Sequence, residues 1–257
     1  MLYQIKQYLK FLKTSTNQHG VHSPFVFDLV TKCLYNKTIY PDYHKITSYK
    51  KQLKHSKQKL QITDLGAGSQ KFKSNIRSVS DIAKHVSIST KHAKLLYRLT
   101  TYLKPNTILE LGTSLGVATQ ALSLANPEAK ITTIEGCPEI SKFSKAQFDK
   151  RLLGNINVKT GDFSEVIPNL TPTTFDLIFF DGNHTKEATL TYFEMLLPKA
   201  NNNSVFIFDD IHWSKGMAEA WNTIKNHPSV TVSIDTFFWG IIFFRKEQAK
   251  EHFVIRV

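Results

Sequence analysis

Two acidic segments hold the side chains best suited to chemistry. Asp181-Gly182-Asn183-His184 and Phe208-Asp209-Asp210-Ile211-His212-Trp213 each close a short apolar run that reads as a strand, Phe175–Asp181 and Ser204–Asp210. Ligands of an open parallel sheet collect at the carboxyl ends of its strands, so neighbouring strands would bring Asp181, Asp209 and Asp210 to one rim. Three carboxylates a few Å apart repel one another and push a pKa upward unless a cation neutralises them. A hard divalent cation with oxygen ligands, Mg2+ in particular, resolves that conflict. The competing reading is that Asp209 or Asp210 caps a helix or accepts from backbone amides. His212 and Trp213 either wall an acceptor pocket or belong to the core, and Phe237, Phe238 and Trp239 carry the same ambiguity. His19 and His22, three apart before Pro24, do not make a metal site by themselves.

Two glycine turns are candidates for a nucleotide-like ligand: Asp64-Leu65-Gly66-Ala67-Gly68-Ser69 and Glu110-Leu111-Gly112-Thr113-Ser114-Leu115-Gly116. A glycine turn between strand and helix lets the backbone approach a ligand and aims helix N–H groups at it. A nucleoside site also wants an acidic residue at the tip of the next strand, about 20 residues on, to accept from ribose hydroxyls. Ile131-Thr132-Thr133-Ile134 ends at Glu135, 23 residues after Gly112, whereas the earlier turn runs into Arg77 and a helical pattern. The cofactor is therefore assigned to the second turn, and the first is read as a structural turn.

These residues need a scaffold, and the texture of the chain from Thr107 onward supplies one. Thr107–Leu111, Lys130–Glu135, Asn157–Thr160, Phe175–Asp181 and Ser204–Asp210 are β-rich runs alternating with helical patterns, which indicates βαβ units and a parallel sheet. Val230–Asp235 and Gly240–Arg245 are separated by four residues, too few for a crossover helix, so they read as an antiparallel hairpin. Upstream, Leu2, Ile5, Leu9 and Leu12 have helical spacing among Lys6, Lys10 and Lys13. That basic amphipathic helix either docks on its own domain, the favoured expectation, or lies on an anionic membrane. Phe25–Leu34 reads as helix, residues 44–59 as a lysine-rich linker or exposed helix, and residues 79–103 as one or two helices ending before Pro105.

The 110–116 run, Glu135, Gly161-Asp162-Phe163, Asp181 and Asp209-Asp210 together resemble the class I S-adenosylmethionine-dependent methyltransferases, over about residues 90–250. The resemblance implies an α/β, Rossmann-like, seven-stranded and mostly parallel sheet with one antiparallel strand and helices on both faces. Residues 90–257 would form that domain, behind a basic, mainly helical extension over 1–89. It implies S-adenosylmethionine as cofactor, with Gly112 and Gly116 along its methionine part, Thr113 and Thr119 as nearby hydroxyl donors, and Glu110 and Asp181 bordering it. Glu135 would hold the ribose, and Asp162 the adenine amine with Phe163 beside the ring. Where relatives often carry a glycine pair, this chain has Asn201-Asn202-Asn203, and asparagine tolerates a left-handed backbone. The acidic segments are more closely similar to the metal-dependent O-methyltransferases of the catechol, caffeoyl-coenzyme A and macrolide-sugar types. That likeness implies a metal at Asp181, Asp209 and Asp210, and His184 as general base where the catechol type carries lysine. An imidazole with a pKa near 6.5 can take a proton from a hydroxyl acidified by Mg2+.

Composition bounds the remaining classes. The 257 residues, 41% hydrophobic and 12% aromatic, exclude a disordered or low-complexity chain. No apolar run approaches the roughly 20 residues that span a bilayer. The N-terminal stretch, interrupted by lysines, does not read as a secretory signal, and Cys33 and Cys137 do not suggest a disulfide framework. The expected location is the cytoplasm, with peripheral contact at the inner membrane face as a further option. Net charge is +12, but residues 1–107 carry 19 basic and 4 acidic side chains, while residues 108–257 are net −3. That asymmetry points the first segment at something anionic, or makes it a solvated basic surface. The expected function is methyl transfer to a hydroxyl of a small molecule or glycan. The alternatives are an RNA methyltransferase recruited by the basic segment, disfavoured because the Asn/Asp-Pro-Pro-aromatic motif and paired cysteines are missing, and a non-catalytic cofactor-binding module. Oligomerisation is left open.

Overall fold

The computed structural model describes residues 2–63 and 75–257. The turn at 64–69 lies outside the described residues. The chain runs through α1 (Leu2–Thr14), α2 (Pro24–Leu29), α3 (Tyr43–Lys54), β1 (Lys59–Gln61), β2 (Ile76–Ser78), α4 (Val79–His85), α5 (Thr90–Leu103), β3 (Thr107–Leu111), α6 (Val117–Ala125) and β4 (Lys130–Glu135). It continues through α7 (Pro138–Lys150), β5 (Ile156–Thr160), α8 (Phe163–Val166), β6 (Leu177–Phe180), α9 (Lys186–Leu196), β7 (Val205–Asp209), α10 (Lys215–Asn226), β8 (Val232–Asp235), β9 (Trp239–Phe243) and β10 (Glu251–Val254). The class is α/β, with a mainly parallel mixed sheet and helices around it. Two compact units divide the chain: residues 36–166, and residues 1–35 together with 167–257.

In the unit 36–166, β3, β4 and β5 are parallel neighbours in that order, with Thr107 opposite Lys130 and Ile131 opposite Ile156. Ile108, Leu109 and Leu111 are all buried, as expected of a strand covered on both faces. The pattern over 79–103 resolves into two helices because Ser78 and Ser89 each cap one, accepting from the backbone N–H of Asp81 and of His92. Residues 44–54 are helical and most of their side chains are exposed, as one of the two readings had it, but the helix also carries a buried stripe. α3 buries Tyr43, Ile46, Tyr49 and Leu53, and the buried Lys50 ammonium donates to the carbonyls of Ser87 (2.8 Å) and Ile88 (2.7 Å). High lysine content concealed an apolar stripe at helical spacing.

In the other unit the strand order is β10-β8-β9-β7-β6. β6 and β7 are parallel, and β9 lies antiparallel between β7 and β8, the hairpin that the four-residue gap implied. β10, parallel to β8, is an additional strand; its four residues carry no alternation strong enough to announce it. The Asn201–Asn203 turn uses no left-handed residue. The Asn201 side chain instead accepts from the Asn203 N–H at 2.8 Å and donates to Asp176 at 3.2 Å. Residues 36–89, expected as an extension, share a unit with the Gly112 turn, while residues 1–35 belong with 167–257.

Candidate active site

The glycine turn is built between β3 and α6. Gly112 (φ 101°) and Gly116 (φ 76°) occupy the left-handed region that favours glycine, and Ser114 is held there too at φ 48°. A Cβ on Gly116 would stand 2.5 Å from the buried Phe148 ring. The turn is supported from below by Tyr49, whose hydroxyl donates to the Leu115 carbonyl (2.5 Å) and whose ring carries the Arg151 guanidinium at 3.9 Å. Tyr49 was invisible as a site residue in the sequence, because only the fold brings α3 under the turn.

Glu135 meets the turn directly. One carboxylate oxygen accepts from the Ser114 N–H at 2.8 Å and the other from the Cys137 N–H at 2.9 Å. Glu110 is completely buried and shares one oxygen with the hydroxyls of Thr119 and Thr133, each at 2.5 Å. Burial pushes its carboxyl up to about 7, against those two hydrogen bonds and with help from the Glu135 charge. The Thr113 hydroxyl lies 2.6 Å from that of Thr133, so the hydroxyls of Thr113 and Thr119 are engaged inside the protein. The other oxygen of Glu110, and Ser114 Oγ, are buried with no hydrogen-bond partner among the described residues. Orphaned polar atoms beside an open glycine turn fit a polar ligand there. Asp162 follows Gly161 (φ 147°) and accepts at 2.8 Å from the Ser164 N–H, opening α8; Phe163, the first residue of α8, is half-buried.

The acidic segments lie in the other unit, at the ends of β6 and β7. One ligand atom each from Asp181, His184 and Asp209 lies within 4.8 Å of the other two. Asp210 is outside that group, at φ 55°, and its carboxyl is pushed up to about 7 by burial and by the Asp209 charge. His184 Nε2 stands 3.6 Å from Asp181, beyond hydrogen-bond range, with 27% of its side chain exposed. Desolvation lowers its pKa, against the pull of Asp209, so it is neutral at pH 7. The preceding Asn183 takes the left-handed conformation at φ 51° that turns the chain back toward Asp181, a geometry asparagine accepts. Two carboxylates and a neutral imidazole that close form a donor set suited to a divalent cation.

Asp209 is aimed by Trp239, whose indole N–H donates to it at 2.7 Å from the opposing position of antiparallel β9. Trp239 therefore acts on the acidic group while sitting almost wholly in the core. Trp239→Phe keeps the packing and removes that donor. His212 is turned elsewhere: its Nε2 lies 2.8 Å from Asp235, and its ring stacks on Phe237 at 5.3 Å. Trp213 is 47% exposed.

Similarity to known proteins follows the same residues. A family profile described as a methyltransferase domain matches residues 109–211. A catechol O-methyltransferase of Niastella koreensis is 26% identical over 131 residues, covering 49% of this chain; the match spans 58% of that protein's length. Among solved structures, the O-methyltransferase TomG of Streptomyces achromogenes, in complex with S-adenosylmethionine, aligns with a TM-score of 0.55 at 19% identity over 62% of this chain and 82% of its own. A Podospora anserina methyltransferase bound to S-adenosylhomocysteine aligns with a TM-score of 0.63 at 16% identity over 88% and 97%. Residues 109–211 thus match a methyltransferase domain, and the fold is one shared with S-adenosylmethionine-dependent methyltransferases.

Proposed function

We propose that this chain is an O-methyltransferase that moves the methyl group of S-adenosylmethionine to a hydroxyl of a small molecule or glycan, assisted by a divalent cation, Mg2+ foremost, and by His184 as base. The observation that carries this reading is the convergence of Asp181, His184 and Asp209, in a chain whose glycine turn is tied to an acidic strand end. The catechol O-methyltransferase relative supports a small-molecule hydroxyl as acceptor. When bound, the cofactor supplies an electrophilic methyl and the cation a more acidic acceptor hydroxyl.

The chain's own residues do the rest. Glu135 is the acceptor for ribose hydroxyls, on lone pairs beside those that its backbone partners use, and Asp162 with Phe163 takes the adenine. Gly112 and Gly116 leave room for the methionine part, while the free oxygen of Glu110 and Ser114 Oγ offer it polar contacts. Thr113 and Thr119 shape the turn through the Glu110 network rather than by direct contact. Asp181 and Asp209 hold the cation, and Asp210, with its carboxyl pushed up to about 7, stands beside them. Neutral His184 takes the proton of the acceptor hydroxyl, while His212 is engaged with Asp235. Glu135→Gln leaves one oxygen for two roles and is expected to weaken cofactor binding about ten- to a hundredfold by calorimetry, the loss of a charged hydrogen-bond acceptor.

The deciding experiment follows transfer of labelled methyl from S-adenosylmethionine to catechol and sugar-hydroxyl acceptors, with and without chelator. Transfer is expected to fall at least about a hundredfold on chelation and to return with Mg2+. Transfer indifferent to chelator removes the cation from the reading. Cofactor binding with no transfer to any hydroxyl acceptor leaves a binding module instead.

A further inference from the structure

α1 is docked by the wrong face for a helix whose apolar residues serve its own core. Phe11 is buried and Tyr3, Gln4 and Gln7 are half-buried, whereas Leu2 is 79% exposed, Leu9 54% and Ile5 51%. At 3.6 residues per turn, Leu2, Ile5 and Leu9 fall within an arc of about 60°, with Lys6, Lys10 and Lys13 along one flank of it. The orientation is pinned rather than incidental. Phe11 and Tyr8 pack on Phe237 at 5.5 and 4.9 Å, and Gln4 donates to the Trp213 carbonyl at 3.2 Å. Beyond the helix end, the Thr16 N–H donates to the Val254 carbonyl at 2.8 Å, and Arg256 returns a bond to Thr16. Trp213 and Phe238, exposed at 47% and 45%, adjoin the same contacts, Phe238 through Phe237.

Charge decides what such a face meets. All three lysines of the flank are exposed, and α1 carries no acidic residue to offset them. One 13-residue helix offers a stripe far smaller than the about 800 Å² per partner of a stable protein interface. An apolar strip with a parallel row of lysines and exposed aromatic residues instead matches the headgroup boundary of an anionic bilayer. We propose that α1, with Trp213 and Phe238, docks on an anionic phospholipid surface, Leu2, Ile5 and Leu9 entering the acyl boundary while Lys6, Lys10 and Lys13 meet phosphates. This inference does not depend on the reading of the catalytic residues.

The test is co-sedimentation of the full chain with phosphatidylglycerol–phosphatidylcholine vesicles and with phosphatidylcholine alone. Binding is expected to the anionic vesicles only, and to weaken as salt screens it. Ile5→Gln/Leu9→Gln should lower the partition at least about tenfold, and Lys6→Gln/Lys10→Gln/Lys13→Gln should do the same and abolish the salt dependence. These side chains are exposed, so the melting temperature and cofactor affinity of both variants should match the parent. The proposal is overturned if the parent ignores anionic vesicles, or if Ile5→Gln/Leu9→Gln binds them as the parent does. It is also overturned if that variant changes oligomeric state and no vesicle binding is seen, which would make a second copy the occupant.

Discussion

His184→Ala is expected to lower turnover about 10²–10⁴-fold and to leave S-adenosylmethionine affinity unchanged. Its Nε2 lies 3.6 Å from Asp181, near enough to pair when protonated but beyond hydrogen-bond range. Burial lowers its pKa below the ordinary 6.5. The sign follows directly. The neutral, basic form persists above that lowered value, so kcat/KM should stay level through neutral pH and fall only as pH drops below 6.5. The alanine variant should lose this acid limb along with its rate. Single-turnover kinetics at saturating cofactor, with a parallel cofactor titration, separate this outcome from a loss of binding. If added Mg2+ restored the variant, His184 would be a ligand of the cation and not the base; unchanged turnover would take it out of the mechanism altogether.

Gly116→Ala is expected to destabilise the fold by roughly 2–5 kcal/mol and to abolish measurable cofactor binding. Two separate costs meet there. A left-handed backbone at φ 76° costs a residue with a Cβ about 1–2 kcal/mol. The new methyl would also stand 2.5 Å from the Phe148 ring, which is only 2% exposed and has nowhere to retreat, and such overpacking costs typically 1–3 kcal/mol. Any relief reached by moving the turn carries Ser114 away from Glu135, because that pair spans only 2.8 Å. Thermal melts and cofactor calorimetry read both effects. Phe148→Leu in the alanine background should recover part of the stability, the overpacking share, and none of the backbone share. Full stability in Gly116→Ala alone would mean that the turn can adopt another path.

The order of β and α runs from Thr107, the reversed last hairpin and the glycine turn with its acidic partner 23 residues on were legible along the chain, because each is a local pattern. Strand burial on both faces leaves an apolar run, a left-handed corner selects glycine, and a four-residue connection admits only antiparallel pairing. Asp181, His184 and Asp209 were legible for the same reason, as polar residues placed at the ends of apolar runs. Their grouping was not. Sequence order set Asp209 beside Asp210, whereas the folded chain brings one ligand atom each of Asp181, His184 and Asp209 within 4.8 Å, next to Asp210. That Thr119 donates to Glu110 and that the Thr113 hydroxyl meets Thr133 were not legible, because no local pattern reveals Glu110 as buried.

Residue type and period by themselves determined that this chain makes an α/β fold on a mainly parallel sheet, and which strand ends carry its acids. Tertiary structure alone decided which donors face outward, that Trp239 reaches Asp209 across an antiparallel pair, that Tyr49 props the glycine turn, and that α1 turns its leucines to the outside. The physical reason is one of range. Propensity and periodicity act within a turn or two of the chain, whereas hydrogen bonds such as Trp239 to Asp209 join residues 30 positions apart and exist only once the elements have packed.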